Sequence, residues 1–74
     1  MDTVDWIKSI IKQAAQETLH EEPKEIIVLS RIEMPIYPNL PSPVRASLIM
    51  NKRTLIISIN IYHDGSYGDI SINR

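Results

Sequence analysis

The chain predicts an α+β fold: one N-terminal amphipathic helix packed on a three- to four-stranded antiparallel meander, in the order α-β-β-β-β. Three observations carry this. Residues 3–21 repeat their apolar side chains at helical spacing and then meet Pro23. From residue 44 to residue 73 apolar and polar residues alternate with period two. Two turn segments, Asn51-Lys52-Arg53 and His63-Asp64-Gly65-Ser66, cut that stretch into three strands. With 74 residues, 43% hydrophobic and 23% charged, the chain reads as a single small folded domain spanning residues 1–74.

The helix comes first. At about 100° per residue, Val4, Ile7, Ile11, Ala14, Ala15 and Leu19 gather on one face, with Ile10 at its border. Asp5, Ser9, Gln13, Gln16 and His20 fall opposite. Asp2 is placed to cap the N-terminus, and Asp5 stands in the first turn, where the helix dipole favours an anion. Glu17, Glu21 and Glu22 oppose the dipole at the other end, so that end is expected to fray. Trp6 lies just outside the stripe, where it either covers the edge of the core or marks a contact surface.

Residues 25–34 follow as a strand with Ile26, Val28, Ser30, Ile32 and Met34 on one face and Ile27, Leu29, Arg31 and Glu33 on the other. Because its first half is apolar on both faces, that half is expected to be sandwiched or interfacial. The pattern leaves open at which edge of the sheet it sits. Residues 35–43 hold four of the five prolines and form neither helix nor interior strand. Pro35, Pro38 and Pro41 recur at the polyproline II period, with Tyr37 and Leu40 between them. Such a segment serves as a ligand for a proline-recognising domain, as an arm across a dimer, or as a stiff connection with Ile36 and Leu40 tucked onto the core. The last reading is the expected one.

The remaining strands span 44–50, 54–62 and 67–73. Val44, Ala46, Leu48 and Met50, then Leu55, Ile57, Ile59 and Ile61, then Gly68, Ile70 and Ile72 are expected to face the helix. Arg45, Ser47, Ile49, Thr54, Ile56, Ser58, Asn60, Tyr62, Tyr67, Asp69, Ser71 and Asn73 are expected to face away.

Composition excludes several function classes. Cysteine is absent, which removes disulfides, zinc ribbons, iron–sulfur centres and a thiol nucleophile. A net charge of −1 gives no strongly basic footprint for nucleic acid. No apolar run approaches the ~20 residues that span a bilayer, so no membrane partner is expected. The N-terminus lacks a signal-peptide pattern and no Arg occurs in the first 30 residues, which points to the cytoplasm. None of the serines lies in a Gly-x-Ser-x-Gly turn, and Gly65 and Gly68 alone cannot build a phosphate-cradling loop. His20-Glu21-Glu22 lacks the second histidine of a zinc protease helix. The expectation is a non-enzymatic protein without a cofactor.

Fourteen Ile and no Phe give a stiff core of little bulk, and below ~70–80 residues such a core rarely supplies more than ~3–5 kcal/mol. Burial against a second copy makes up the difference, so a homodimer is predicted. The leading reading is a protein-interaction module acting as a stoichiometric regulator or inhibitor of a partner protein, of the kind found in phages, viruses and mobile elements. Its candidate contact residues are Trp6, Tyr37, Arg45, Ile49, Ile56, Tyr62 and Tyr67, with Ile49 and Ile56 close across the Asn51–Arg53 turn. A second reading has the polar sheet face bind nucleic acid through Arg45, Lys52, Arg53, Tyr62 and Tyr67, with Arg74 at the rim. A third places a metal-dependent hydrolytic site at His63, Asp64 and Asp69; its plainer counterpart makes Asp64-Gly65 a hairpin turn and leaves the other two as solvated neighbours.

Overall fold

The computed structural model describes residues 2–73. Helix α1 spans Thr3–Leu19 and is followed by β1 (Glu25–Val28), β2 (Ser42–Ile49), β3 (Thr54–Ile61) and β4 (Tyr67–Asn73). The strands form one antiparallel sheet in chain order, with β1 at the edge beside β2 and β4 at the other edge. The proline segment therefore does not cross the sheet. It leads the chain back beside β1 as β2. Ser42 and Pro43, expected to stay out of any interior strand, begin that strand by pairing with β3. Pro43 is tolerated there because its nitrogen faces the side on which β1 has already ended.

Asp2 caps α1 as the sequence predicts, its Oδ1 accepting the Asp5 N–H at 3.0 Å and satisfying one of the helix's orphan donors. The helix ends two residues short of the predicted 21. His20 turns into the left-handed region (φ 56°) and donates its N–H to the Gln16 carbonyl at 2.9 Å. The acidic end is pinned rather than frayed. Glu21 meets Arg53 at 3.3 Å and Glu22 meets Lys12 at 2.7 Å, so two of the three carboxylates that oppose the dipole find a cation, while Glu17 accepts hydrogen bonds from Gln13 and Tyr67. Both pairs are partly solvated, and each contributes well under ~1 kcal/mol.

One face of α1 and one face of the sheet close the core. Ile7, Ile10, Ile11, Ala14 and Ala15 meet Val44, Ala46, Leu48, Leu55, Ile57, Ile59 and Ile61, with Ile26 and Met50 at the sides. The adjacent alanines bring the helix backbone close to the sheet, which suits a core that has no Phe. Val4 stays exposed at the helix start. Among the described residues no buried side-chain polar atom lacks a partner.

Two departures from the sequence pattern reshape the other face. First, β1 stops at Val28 instead of running to residue 34. The Leu29 and Ser30 N–H groups both donate to the Arg45 carbonyl, at 2.8 and 3.3 Å, while the Arg45 N–H donates to Ser30 Oγ at 3.0 Å. A side-chain oxygen thus takes the place of the next backbone acceptor. Backbone groups two residues apart on a strand face the same neighbour. Pro43 consequently presents a hydrogen-free nitrogen to β1 where Arg45 presents an N–H, and the ladder has no donor with which to continue.

Second, β4 carries a bulge. Ser58 pairs with Ser71 and Asn60 with Gly68, so β4 holds one residue more than β3 across this interval. Asp69, with φ 51°, absorbs the extra length. Strand faces alternate strictly, so one added residue reverses the facing of everything before it. Tyr67 lies opposite the buried Ile61 and turns toward the helix, and Gly68 turns outward, the opposite of the predicted facing. The Tyr67 hydroxyl donates to Glu17 Oε2 at 2.5 Å, tying the edge strand to α1.

Candidate interaction surface

The sheet face turned away from α1 is built by register. Ile27 pairs with Ser47, which pairs with Ile56, while Ile49 pairs with Glu25 on one side and Thr54 on the other. Ile49 and Ile56 are therefore diagonal neighbours, as expected, and Ile27 flanks them on the far side of Ser47. Leu29 lies level with Arg45 through its backbone bond. An aliphatic cluster of Ile27, Leu29, Ile49 and Ile56 results, set toward the β1 edge. Arg45 stands exposed beside it and enters no ion pair among the described residues.

Beyond Ser30 the chain leaves the sheet as an arm. Arg31 and Glu33 are solvated and only 3.9 Å apart. Pro38 and Asn39 then form a tight turn in which the Leu40 N–H donates to the Tyr37 carbonyl at 3.2 Å, with proline at the position that fixed φ favours. The expected tucking of Ile36 and Leu40 onto the core does not occur. Ile27, Leu29, Met34, Ile36, Tyr37 and Leu40 each keep between 44% and 68% of their surface exposed. The two limbs of the arm, Glu33–Tyr37 and Leu40–Pro43, enclose a groove of about 300 Å³. A second concavity, of about 420 Å³, opens on the outer sheet face between Ser30, Pro43 and Arg45 on one side and Ser58, Asn60 and Asp69 on the other. The Asn60 amide donates to Asp69 Oδ2 at 2.9 Å and fixes that second wall. Pro43 borders both hollows.

The remaining predicted contact residues separate. Trp6 is half-buried on the helix side and packs on the core, its Cζ2 3.9 Å from where a Cβ on Gly65 would stand. It covers the end of the core beneath the β3–β4 turn. Tyr67 joins it on the helix side. Tyr62 is half-buried at the mouth of that turn, donating its N–H to the Ser66 carbonyl at 2.9 Å and accepting the Gly65 N–H at 3.0 Å. Among the described residues of this turn only Gly65 has positive φ (86°), which marks a type I turn closed by a glycine bulge. Arg45, Ile49 and Ile56 thus lie on the outer face of the sheet and Tyr37 on the exposed arm, whereas Trp6 and Tyr67 lie on the helix side.

The nucleic-acid set is likewise divided. Arg53 is engaged by Glu21, Tyr67 faces the helix, and Arg74 lies outside the described residues. Of the predicted metal ligands, Asp64 and Asp69 are engaged by their neighbours and His63 stands exposed in the turn. Asp64 accepts the Ser66 hydroxyl at 2.6 Å and the Ser66 N–H at 3.0 Å, which hold its carboxyl below the usual range. Asp69 holds Asn60, and among the described residues no three His, Asp or Glu side chains assemble around a common point. On the helix side, hydrogen bonds from Tyr67 and then Gln13 keep Glu17 below the usual carboxylate range, and the same bond raises the Tyr67 phenol.

Among the described residues no helix is long and apolar enough to cross a membrane. Ile27, Leu29, Met34, Ile36 and Leu40 are exposed apolar residues that the sequence pattern does not name as contacts, although the two-sided apolarity of residues 26–29 is the signal for the first two. Compared with protein-family models, curated proteins and solved structures, the chain matches none.

Proposed function

We propose that this chain is a cytoplasmic, homodimeric protein-interaction module that acts stoichiometrically on a partner protein, without chemistry of its own. One observation supports the reading. The helix side of the sheet is closed, whereas six large apolar side chains along the outer face and the arm stay open to solvent. Their summed exposure is roughly 600 Å² of apolar-residue surface, the upper end of what the largest patch on a typical monomer carries, and exposed apolar surface on that scale is often functional. Ile49 and Ile56 extend it across the sheet.

Sedimentation equilibrium tests this directly. The parent chain is expected at twice 8.5 kDa, and Ile49→Asp or Ile56→Asp is expected to yield a folded monomer with an unchanged far-ultraviolet spectrum. Undiminished association in both variants would overturn the reading.

A further inference from the structure

The interaction reading leaves open how two copies meet; the following rests on it. We infer that the dimer forms by reciprocal docking, with the Tyr37–Leu40 turn of each copy seated in the outer-face hollow of the other.

The surface is self-complementary. A projecting apolar turn and a hollow of about 420 Å³ lie side by side, both bordered by Pro43. An isologous two-fold contact requires a single patch to carry both halves of the fit, so that residue i meets j and j meets i. Within the chain the arm closes its own turn and leaves Tyr37 and Leu40 without a core to cover.

Size agrees as well. Covering all six exposed apolar side chains takes roughly 600 Å² from each copy, about 1,200 Å² in all, the lower bound for a stable specific complex. Tyr37 is the aromatic anchor such an interface needs, and its hydroxyl suits the polar Asn60–Asp69 wall. Charge agrees too: the arm brings Glu33, paired with a solvated Arg31 at 3.9 Å, toward Arg45, which has no ion pair among the described residues, at the rim of the opposite hollow. That rim pair serves register more than affinity.

Two variants separate this geometry from association in general. Tyr37→Asp removes the anchor, and Ser58→Trp fills the hollow from its floor without touching the core. Each is expected to raise the dimer dissociation constant by at least about 30-fold, the size of a hot-spot loss, with helix and sheet signals intact. The chain has no cysteine, so Tyr37→Cys and Ser58→Cys each supply a sole thiol. Mixed and treated with a short bis-maleimide, they are expected to cross-link in higher yield than either variant alone. A parent dimer unmoved by Tyr37→Asp and Ser58→Trp, or equal cross-linking in the mixture and the separate variants, would overturn the docking while leaving the homodimer standing. A parent chain that stays monomeric up to millimolar concentration would overturn both.

Discussion

Gly65 and Gly68 sit three residues apart around one hairpin, and the structure assigns opposite signs to the same substitution in each. Gly65 closes the β3–β4 turn at φ 86°, and a Cβ there would meet only Trp6 Cζ2 at 3.9 Å, an ordinary contact. Gly65→Ala therefore adds no collision and carries only the cost of holding an L-residue in the left-handed region, ~1–2 kcal/mol. Gly68 has no positive φ, and a Cβ there meets no heavy atom within 4 Å. Gly68→Ala instead removes freedom from the unfolded chain and stabilises by ~0.4–1 kcal/mol. At ~2.1 cal/mol/K per residue, 1 kcal/mol moves the midpoint of a chain this long by ~6 °C. Calorimetry at one fixed protein concentration, which removes any contribution of association to the midpoint, should show Gly65→Ala melting ~6–12 °C lower and Gly68→Ala ~2–6 °C higher. Gly65→Asn should lose less than Gly65→Ala, because asparagine tolerates that conformation. Equal losses at positions 65 and 68, or a stabilised Gly65→Ala, would refute the turn assignment and the bulge that follows from it.

Ser30→Ala removes the acceptor of the Arg45 N–H and should destabilise by ~0.5–1.5 kcal/mol, with hydrogen exchange accelerated at the Arg45 amide ahead of Ala46; an unchanged Arg45 exchange rate would count against the side-chain closure of β1. Tyr67→Phe should flatten the stability profile at both ends of the pH range. Glu17, depressed in the fold by its bond from Tyr67, stabilises above its unfolded pKa of about 4.3 and loses that contribution as pH falls through the lower folded value. Tyr67, raised by the same bond, stabilises below about pH 10 and loses that contribution as pH climbs through its folded value. Urea midpoints between about pH 2 and 11 check this, and identical profiles for parent and variant would contradict the Tyr67–Glu17 contact.

Much of the fold is legible in residue order. Asp2 announces the helix start, the Ile/Ala stripe its buried face, and Asp64-Gly65 the second hairpin, because each is a local rule acting on local backbone. The misses arise where one residue's backbone alters another's environment at a distance. Pro43 terminates a strand whose own residues, up to Met34, still alternate well enough to continue it. Asp69 inserts one residue into an otherwise regular alternation, so Tyr67 exchanges the polar face for a place against Glu17. Nothing in the spacing of Tyr67, Gly68 and Ile70 distinguishes a bulge from an even strand. The arm shows the same limit: three prolines in period state that residues 35–43 are stiff and extended, but not whether Ile36 and Leu40 bend inward. Glu21 and Glu22 oppose the helix dipole by sequence alone, and only the tertiary placement of Arg53, together with Lys12 two to three turns back, reveals why they are tolerated.

The outer sheet face and the proline arm are proposed as a surface for protein association. Light scattering across a size-exclusion peak, recorded at 260 and 280 nm over a dilution series, tests it most directly. A dimer of twice 8.5 kDa, free of nucleic acid and dissociating only on dilution, is the expected result. A monomer at every concentration, or a raised 260 nm signal that vanishes in high salt, would contradict it, the second outcome giving the sheet face to nucleic acid instead.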